Sequence, residues 1–224
     1  MNWGWLNQNM ILAVFPQGQT IYRSAYTWNN HYMDSGQDDV AFLKTLAGYI
    51  RTQYGISDIY LAGHSNGGMM ANRIWCEAPD TFKGYISVAG PASGYYLSAS
   101  TPCAPSVAKP YYGIVGEQDN VLQVTGNWAA PTWQSNPLLT TPAHVGTTLI
   151  GEWSQHITRS GLMCNESPSL TGNVSDGAAE TWRNCNGHLK LQHVLLGGHS
   201  IELLEMQSGH KMVDLIASFI GEVN

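Results

Sequence analysis

The sequence predicts an α/β fold, a mainly parallel sheet with helices on both faces. Three observations lead there. Short apolar runs alternate with helical stretches along the chain, each run stops at Gly or Pro, and no internal repeat or linker interrupts the series. With 224 residues, 43% of them hydrophobic and 12% charged, residues 1–224 fit one globular domain with a sizeable core.

The elements follow in chain order. Met10-Ile11-Leu12-Ala13-Val14-Phe15 reads as a strand stopped by Pro16. Residues 39–54 (DVAFLKTLAGYIRTQY) carry apolar side chains at 40, 42, 43, 46, 49 and 50, the spacing of an amphipathic helix. Asp38 and Asp39 at its start suit the positive end of the helix dipole. Ile59-Tyr60-Leu61-Ala62 is a short buried strand, and Met69 to Trp75, free of Gly and Pro, is a helix. Strands follow at 85–89, 111–115 and 191–196, and a last helix runs from Lys211 to Ile220.

Composition removes several classes of function. The formal charge is −6 with no basic run, which excludes a nucleic-acid backbone as the expected partner. No apolar stretch reaches membrane-spanning length. The first residues, MNWGWLNQNMILAVFPQG, lack the charged start and small-residue cleavage site of a secretory signal. No His/Cys cluster has zinc spacing, so a metal site is not expected. Cys76, Cys103, Cys164 and Cys185 allow three pairings. The sequential one, Cys76–Cys103 and Cys164–Cys185, is taken here because the second bridge would restrain a polar segment with little apolar material of its own. Four reduced cysteines in a cytosolic protein are the alternative. Asn165 and Asn173 begin Asn-x-Ser sequons in that same segment.

Between the 59–62 strand and the helix after it stands Gly63-His64-Ser65-Asn66-Gly67. This is the G-x-S-x-G pattern of a nucleophile elbow, in which a strained strand-to-helix turn exposes the serine hydroxyl. The flanking glycines are expected to leave no room for Cβ atoms. Ligands of such sheets bind beyond the carboxyl ends of the strands, which selects two further places. Gly116-Glu117-Gln118-Asp119 follows the 111–115 strand and Gly197-Gly198-His199 follows the 191–196 strand. The order Ser65, Asp119, His199 is that of the α/β-hydrolases. A serine hydroxyl needs a neighbouring imidazole to accept its proton, and a carboxylate orients that imidazole and stabilises it when charged. His64 adjoins the serine but is expected to face away; Glu117 and Asp214 are the lesser candidates for the acid.

These residues carry a family resemblance. Residues 63–90, GHSNGGMMANRIWCEAPDTFKGYISVAG, resemble the serine esterases that include polyhydroxybutyrate depolymerases, feruloyl esterases and acetylxylan esterases. FPQG at 15–18, Trp28-Asn29, DDVAFL at 38–43, GEQD at 116–119 and LLGGHS at 195–200 fit the same pattern in order. The resemblance implies an α/β-hydrolase-like fold and cofactor-free hydrolysis of a carboxylic ester, either a polyester oligomer or an acylated polysaccharide. It also implies secretion, a Cys164–Cys185 bridge, and catalysis by Ser65, Asp119 and His199 with the Asn66 amide in the oxyanion hole. Two departures stand out. Ser200-Ile201-Glu202 replaces the tryptophan-proline pair often found after the histidine. The family's upstream strands and His-Gly segment, which supply an inner strand and a second oxyanion donor, are missing before residue 10. The chain is therefore expected to lack regular pairing between 10–15 and 59–62, or to have drawn them together. An inactive or binding-only hydrolase-like fragment is the alternative to an enzyme. Trp128, Trp133 and Trp153, between acid and histidine, are candidates for a substrate-facing lid or for core packing.

Overall fold

The computed structural model describes residues 6, 8, 10–22, 25–34, 36–90, 93–97, 100–101, 103–119, 121 and 179–224. Trp128, Trp133, Trp153, Cys164, Asn165 and Asn173 lie outside the described residues. A short antiparallel pair, β1 (Thr20–Tyr22) with β2 (Ala25–Thr27), precedes helix α1 (Asp39–Tyr54). Then come β3 (Tyr60–His64), α2 (Asn66–Glu77), β4 (Gly84–Val88) and β5 (Tyr111–Gly116). The chain closes with β6 (Ala179–Asn184), β7 (Leu189–Val194), α3 (Ile201–Ser208) and α4 (Met212–Glu222).

The main sheet has the order β3-β4-β5-β7-β6. β3, β4, β5 and β7 run parallel, and β6 is antiparallel to β7. β4 and β5 are buried along their whole length, as strands covered on both faces must be. Successive side chains point to opposite faces, so neighbours in sequence enter different cores. Tyr85, Tyr111, Leu189 and Leu191 pack with Leu43 and Ala47 of α1 and Met70 and Ile74 of α2. Ile86, Tyr112, Ile114 and Val194 pack with Leu204 of α3 and with Met212 and Phe219 of α4.

Helix ends follow local chemistry. The Asp38 carboxylate accepts the Ala41 amide at 2.9 Å, and Gly55 ends α1 in the left-handed region at φ 67°. Asp39 does more than complement the dipole. It is buried and accepts the Asn29 amide at 2.6 Å, and burial raises its pKa above the ordinary value. Ser200 caps α3 by accepting the Leu203 amide, and Gly209 ends it.

Residues 10–15 depart from expectation. They form no strand, and their large side chains face solvent, with Met10 94% and Phe15 61% exposed. An apolar run becomes a strand only where a sheet edge completes its hydrogen bonds. Here β3 is the end strand of the sheet and, among the described residues, pairs only with β4. Residues 10–15 are not paired with 59–62, which is the first of the two expected outcomes. β6, α3 and the β1–β2 pair were not expected, and the last large strand begins at Leu189 rather than 191.

Cys76 and Cys103 are bridged, joining the end of α2 to the segment before β5 across a separation of 27 residues. A loop of that size removes about 3 to 4 kcal/mol of unfolded-state entropy on the chain-closure estimate. Cys185 is disulfide-bonded as well; its expected partner, Cys164, is among the residues not described.

An ionic cluster ties α4 to the antiparallel edge. Arg183 of β6 donates both terminal nitrogens to Glu222, and Lys190 of β7 lies 3.3 Å from the same carboxylate. The Arg183 guanidinium, helped by Lys190 and Ser218, pulls the Glu222 pKa from 4.5 to about 2. A depressed folded-state pKa stabilises the fold above the unfolded value and loses that contribution as pH falls. Wild type should therefore exceed Glu222→Gln in stability at pH 6, with the gap closing between about pH 4.5 and 2. Urea unfolding at several pH values measures it. A gap that persists unchanged at pH 2 contradicts this account.

Candidate active site

The site assembles at the carboxyl ends of β3, β5 and β7. Ser65 occupies the turn between β3 and α2 at φ 54°, ψ −118°, a left-handed conformation rarely adopted by a non-glycine residue and costing on the order of 1–3 kcal/mol. Its amide donates to the Val88 carbonyl at 2.9 Å, and its carbonyl accepts the Met69 amide at 3.0 Å. Both neighbouring elements therefore hold the turn. A serine in the N-cap position ordinarily turns its hydroxyl onto the helix amides. The Ser65 side chain makes no such capping bond; its Oγ lies 2.8 Å from His199 Nε2.

The glycines around Ser65 are not equivalent. A Cβ on Gly63 would stand 2.2 Å from the Gly67 backbone, whereas one on Gly67 would meet nothing within 4 Å. The second tight position is Gly68, whose Cβ would come within 2.8 Å of Ser87 Oγ and 2.9 Å of the Gly90 Cα. The close-packing reason expected of Gly67 belongs to Gly68. Gly63→Ala should thus abolish cooperative folding. Gly67→Ala should melt at the same temperature or higher, because alanine gains up to about 1 kcal/mol over glycine within a helix. Thermal melts followed by circular dichroism test the pair, and equal loss in both variants would refute the distinction.

His199 follows β7 in a loop laid against the loop after β5. A Cβ on Gly116 would come within 2.4 Å of the Gly197 carbonyl oxygen, and the Gln118 amide donates to that same oxygen at 2.7 Å. This approach brings Asp119 Oδ2 to 2.8 Å from His199 Nδ1. The Asp119 carboxyl group is fully buried, and its Oδ1 accepts the Val121 amide at 3.0 Å. The structure thus brings Ser65, His199 and Asp119 together in one hydrogen-bonded line. Glu117, a rival acid, instead accepts the Leu196 amide at 3.0 Å. Asp214 lies in the first turn of α4.

Asn66 is the first residue of α2, so its amide sits at the positive end of the helix dipole. Its side chain has a use that sequence reasoning missed. Oδ1 accepts the Trp28 amide at 2.7 Å and Nδ2 donates to the Trp28 carbonyl at 3.2 Å, completing a two-bond clasp. Asn30 Nδ2 donates to the Asn66 carbonyl at 3.2 Å, and Arg73 Nη1 donates to the Asn29 carbonyl at 2.8 Å. With the Asp39 bond to Asn29, these contacts fasten residues 28–30 over the start of α2. The Trp28-Asn29 and Asp38-Asp39 blocks are joined by this segment.

His64 does not face away, contrary to expectation. Its Nε2 lies 2.7 Å from the His199 carbonyl oxygen. Among the described residues no group of three or more His, Cys, Asp or Glu side chains is placed to hold a metal ion, and no helix is long and apolar enough to cross a membrane.

No protein-family model and no curated protein sequence matches the chain. Solved structures do. An acetyl xylan esterase from Aspergillus awamori superposes with a TM-score of 0.54 at 13% identity, over 88% of this chain and 72% of its own. The esterase PE8 superposes with a TM-score of 0.46 at 16% identity, over 93% of this chain and 77% of its own. The mostly parallel sheet, its helices on both faces and the first of these likenesses show that the chain has an α/β-hydrolase-like fold.

Proposed function

We propose that the chain is a serine carboxylesterase that works through an acyl-enzyme. The observation that carries the proposal is the line Ser65 Oγ–His199–Asp119, with 2.8 Å at each join, around a serine held at positive φ. Ser65 Oγ attacks the ester carbonyl carbon while His199 Nε2 takes its proton. The buried Asp119 carboxylate keeps the proton of neutral His199 on Nδ1 and stabilises the imidazolium. Negative charge gathering on the carbonyl oxygen is met by the Asn66 amide at the start of α2. His199 then protonates the departing alkoxide, leaving an acyl group on Ser65. Water, losing its proton to His199, attacks that acyl carbon; the bond to Ser65 Oγ breaks, His199 returns the proton to Oγ, and the acid is freed.

Polyhydroxyalkanoate-type polyesters and feruloyl or acetyl esters of polysaccharide are the proposed substrates, from the sequence resemblance. The acetyl xylan esterase likeness favours the acetyl esters. The Cys76–Cys103 bridge supports work in an oxidising compartment, outside the reducing cytosol. Hydrolysis of p-nitrophenyl acetate and butyrate, blocked by a serine-directed phosphonate that labels Ser65, is the expected result. A folded chain that neither hydrolyses nor labels overturns the proposal. That outcome would favour a binding-only hydrolase-like protein, a reading that draws on one observation, the outer edge of β3 without a partner among the described residues. Comparison of acetylated xylan, methyl ferulate and hydroxybutyrate trimer then ranks the substrates.

A further inference from the structure

The reaction proposed above leaves His64 unused, although it is the last residue of β3 and borders the nucleophile. Its Nε2 stands 2.7 Å from the His199 carbonyl oxygen, and the two rings are 5.1 Å apart at a tilt of 48°. A carbonyl oxygen only accepts, so Nε2 of His64 must carry a proton. Burial lowers the His64 pKa, which favours the neutral ring; His199, Asp119 and Glu202 are the titratable groups acting on it. The acceptor is also particular. Ser200 is the N-cap of α3 and its carbonyl takes the first helical bond, from Leu204 at 3.0 Å. The His199 carbonyl lies one residue earlier, outside the helical ladder, and His64 supplies the partner that the helix does not.

We infer that His64 is a positioning residue, whose Nε2–H holds the main chain of His199 so that its imidazole stays between Asp119 and Ser65. The inference rests on the proposed roles of those three residues. It matters most after acylation. Ser65 Oγ is then an ester oxygen and no longer donates a proton to His199 Nε2, so the ring keeps only the Asp119 bond. Gly197 and Gly198 precede His199 and leave the backbone few side-chain anchors of its own. The His64 bond, made to the main chain rather than the ring, is unaffected by acylation and maintains the ring for the attack of water.

The test compares His64→Leu, His64→Gln and Ser65→Ala in the full chain, with p-nitrophenyl butyrate turnover and the rate of phosphonate labelling as readouts. Glutamine places an amide N–H near the position of Nε2, and leucine offers no donor. His64→Leu should lower kcat by about 10- to 100-fold and slow phosphonate labelling less, the pattern of an imidazole misplaced chiefly after acylation. His64→Gln should recover most of that loss. If the leucine variant does not fold, His64→Met, also without a donor, takes its place. Wild-type kcat in the donor-less variant, or a glutamine variant no better than it, overturns the inference. Ser65→Ala separates the two readings. If it is inactive while His64→Leu is fully active, only the His64 role fails. If it retains turnover, or if wild type neither hydrolyses nor labels, the catalytic reading falls and this one with it.

Discussion

On the proposed mechanism, Ser65→Ala and His199→Ala should each lower ester turnover by a factor of about 10⁴ or more, with the fold intact. The size follows from the roles being joint. Without Oγ no acyl-enzyme forms, and without the imidazole the hydroxyl keeps its proton at neutral pH. The fold survives because neither side chain belongs to either hydrophobic core. Ser65 Oγ makes no capping bond whose removal would loosen α2. Steady-state p-nitrophenyl butyrate hydrolysis and far-UV circular dichroism on the same preparations check both halves. Retention of even a tenth of wild-type turnover by a folded Ser65→Ala chain would assign the nucleophile elsewhere.

Asp119→Asn should cost about 10⁴ in kcat through the wrong imidazole tautomer. Asparagine offers an amide N–H where the carboxylate accepted one. His199 Nδ1 then becomes the acceptor and the ring proton moves to Nε2, so Nε2 cannot take the serine proton. The buried side chain of Asp119 leaves little water to substitute for the lost acceptor. Glu117→Gln is the control, since Glu117 is bonded to the Leu196 amide and not to the imidazole. It should retain most of its turnover. The reverse pattern, a tolerant Asp119→Asn and a crippled Glu117→Gln, would exchange the two roles.

Much of the architecture was legible because its signals are local. Strands ending in glycine, and helices with Asp38 at the start and apolar spacing through Ile50, are written in consecutive residues. The β3–Ser65–α2 turn was legible for the same reason, as its glycines and serine lie within a few positions. Met10–Phe15 has the local pattern of a strand too, yet is mostly exposed and, among the described residues, pairs with no strand. Strand formation depends on a hydrogen-bonding edge that another part of the chain must provide. β6 was hidden for the opposite reason. AETWRN is too polar for an inner strand, and it pairs only because β7 offers an open edge.

At the site, residue types and their order in the chain named Ser65, Asp119 and His199, since the chemistry demands a hydroxyl, a carboxylate and an imidazole after successive strands. The sequence by itself therefore determined the alternation of elements, the sharp turn at Ser65 and the chemical inventory. Only the tertiary structure decided which glycine needs its bareness, that Asp39 and Asn66 both grip residues 28–30, that Glu117 serves a loop amide, and that His64 turns toward the His199 carbonyl. The Asn66, Glu117 and His64 contacts join residues 38, 79 and 135 positions apart, and separations of that size leave no mark on the spacing of neighbours.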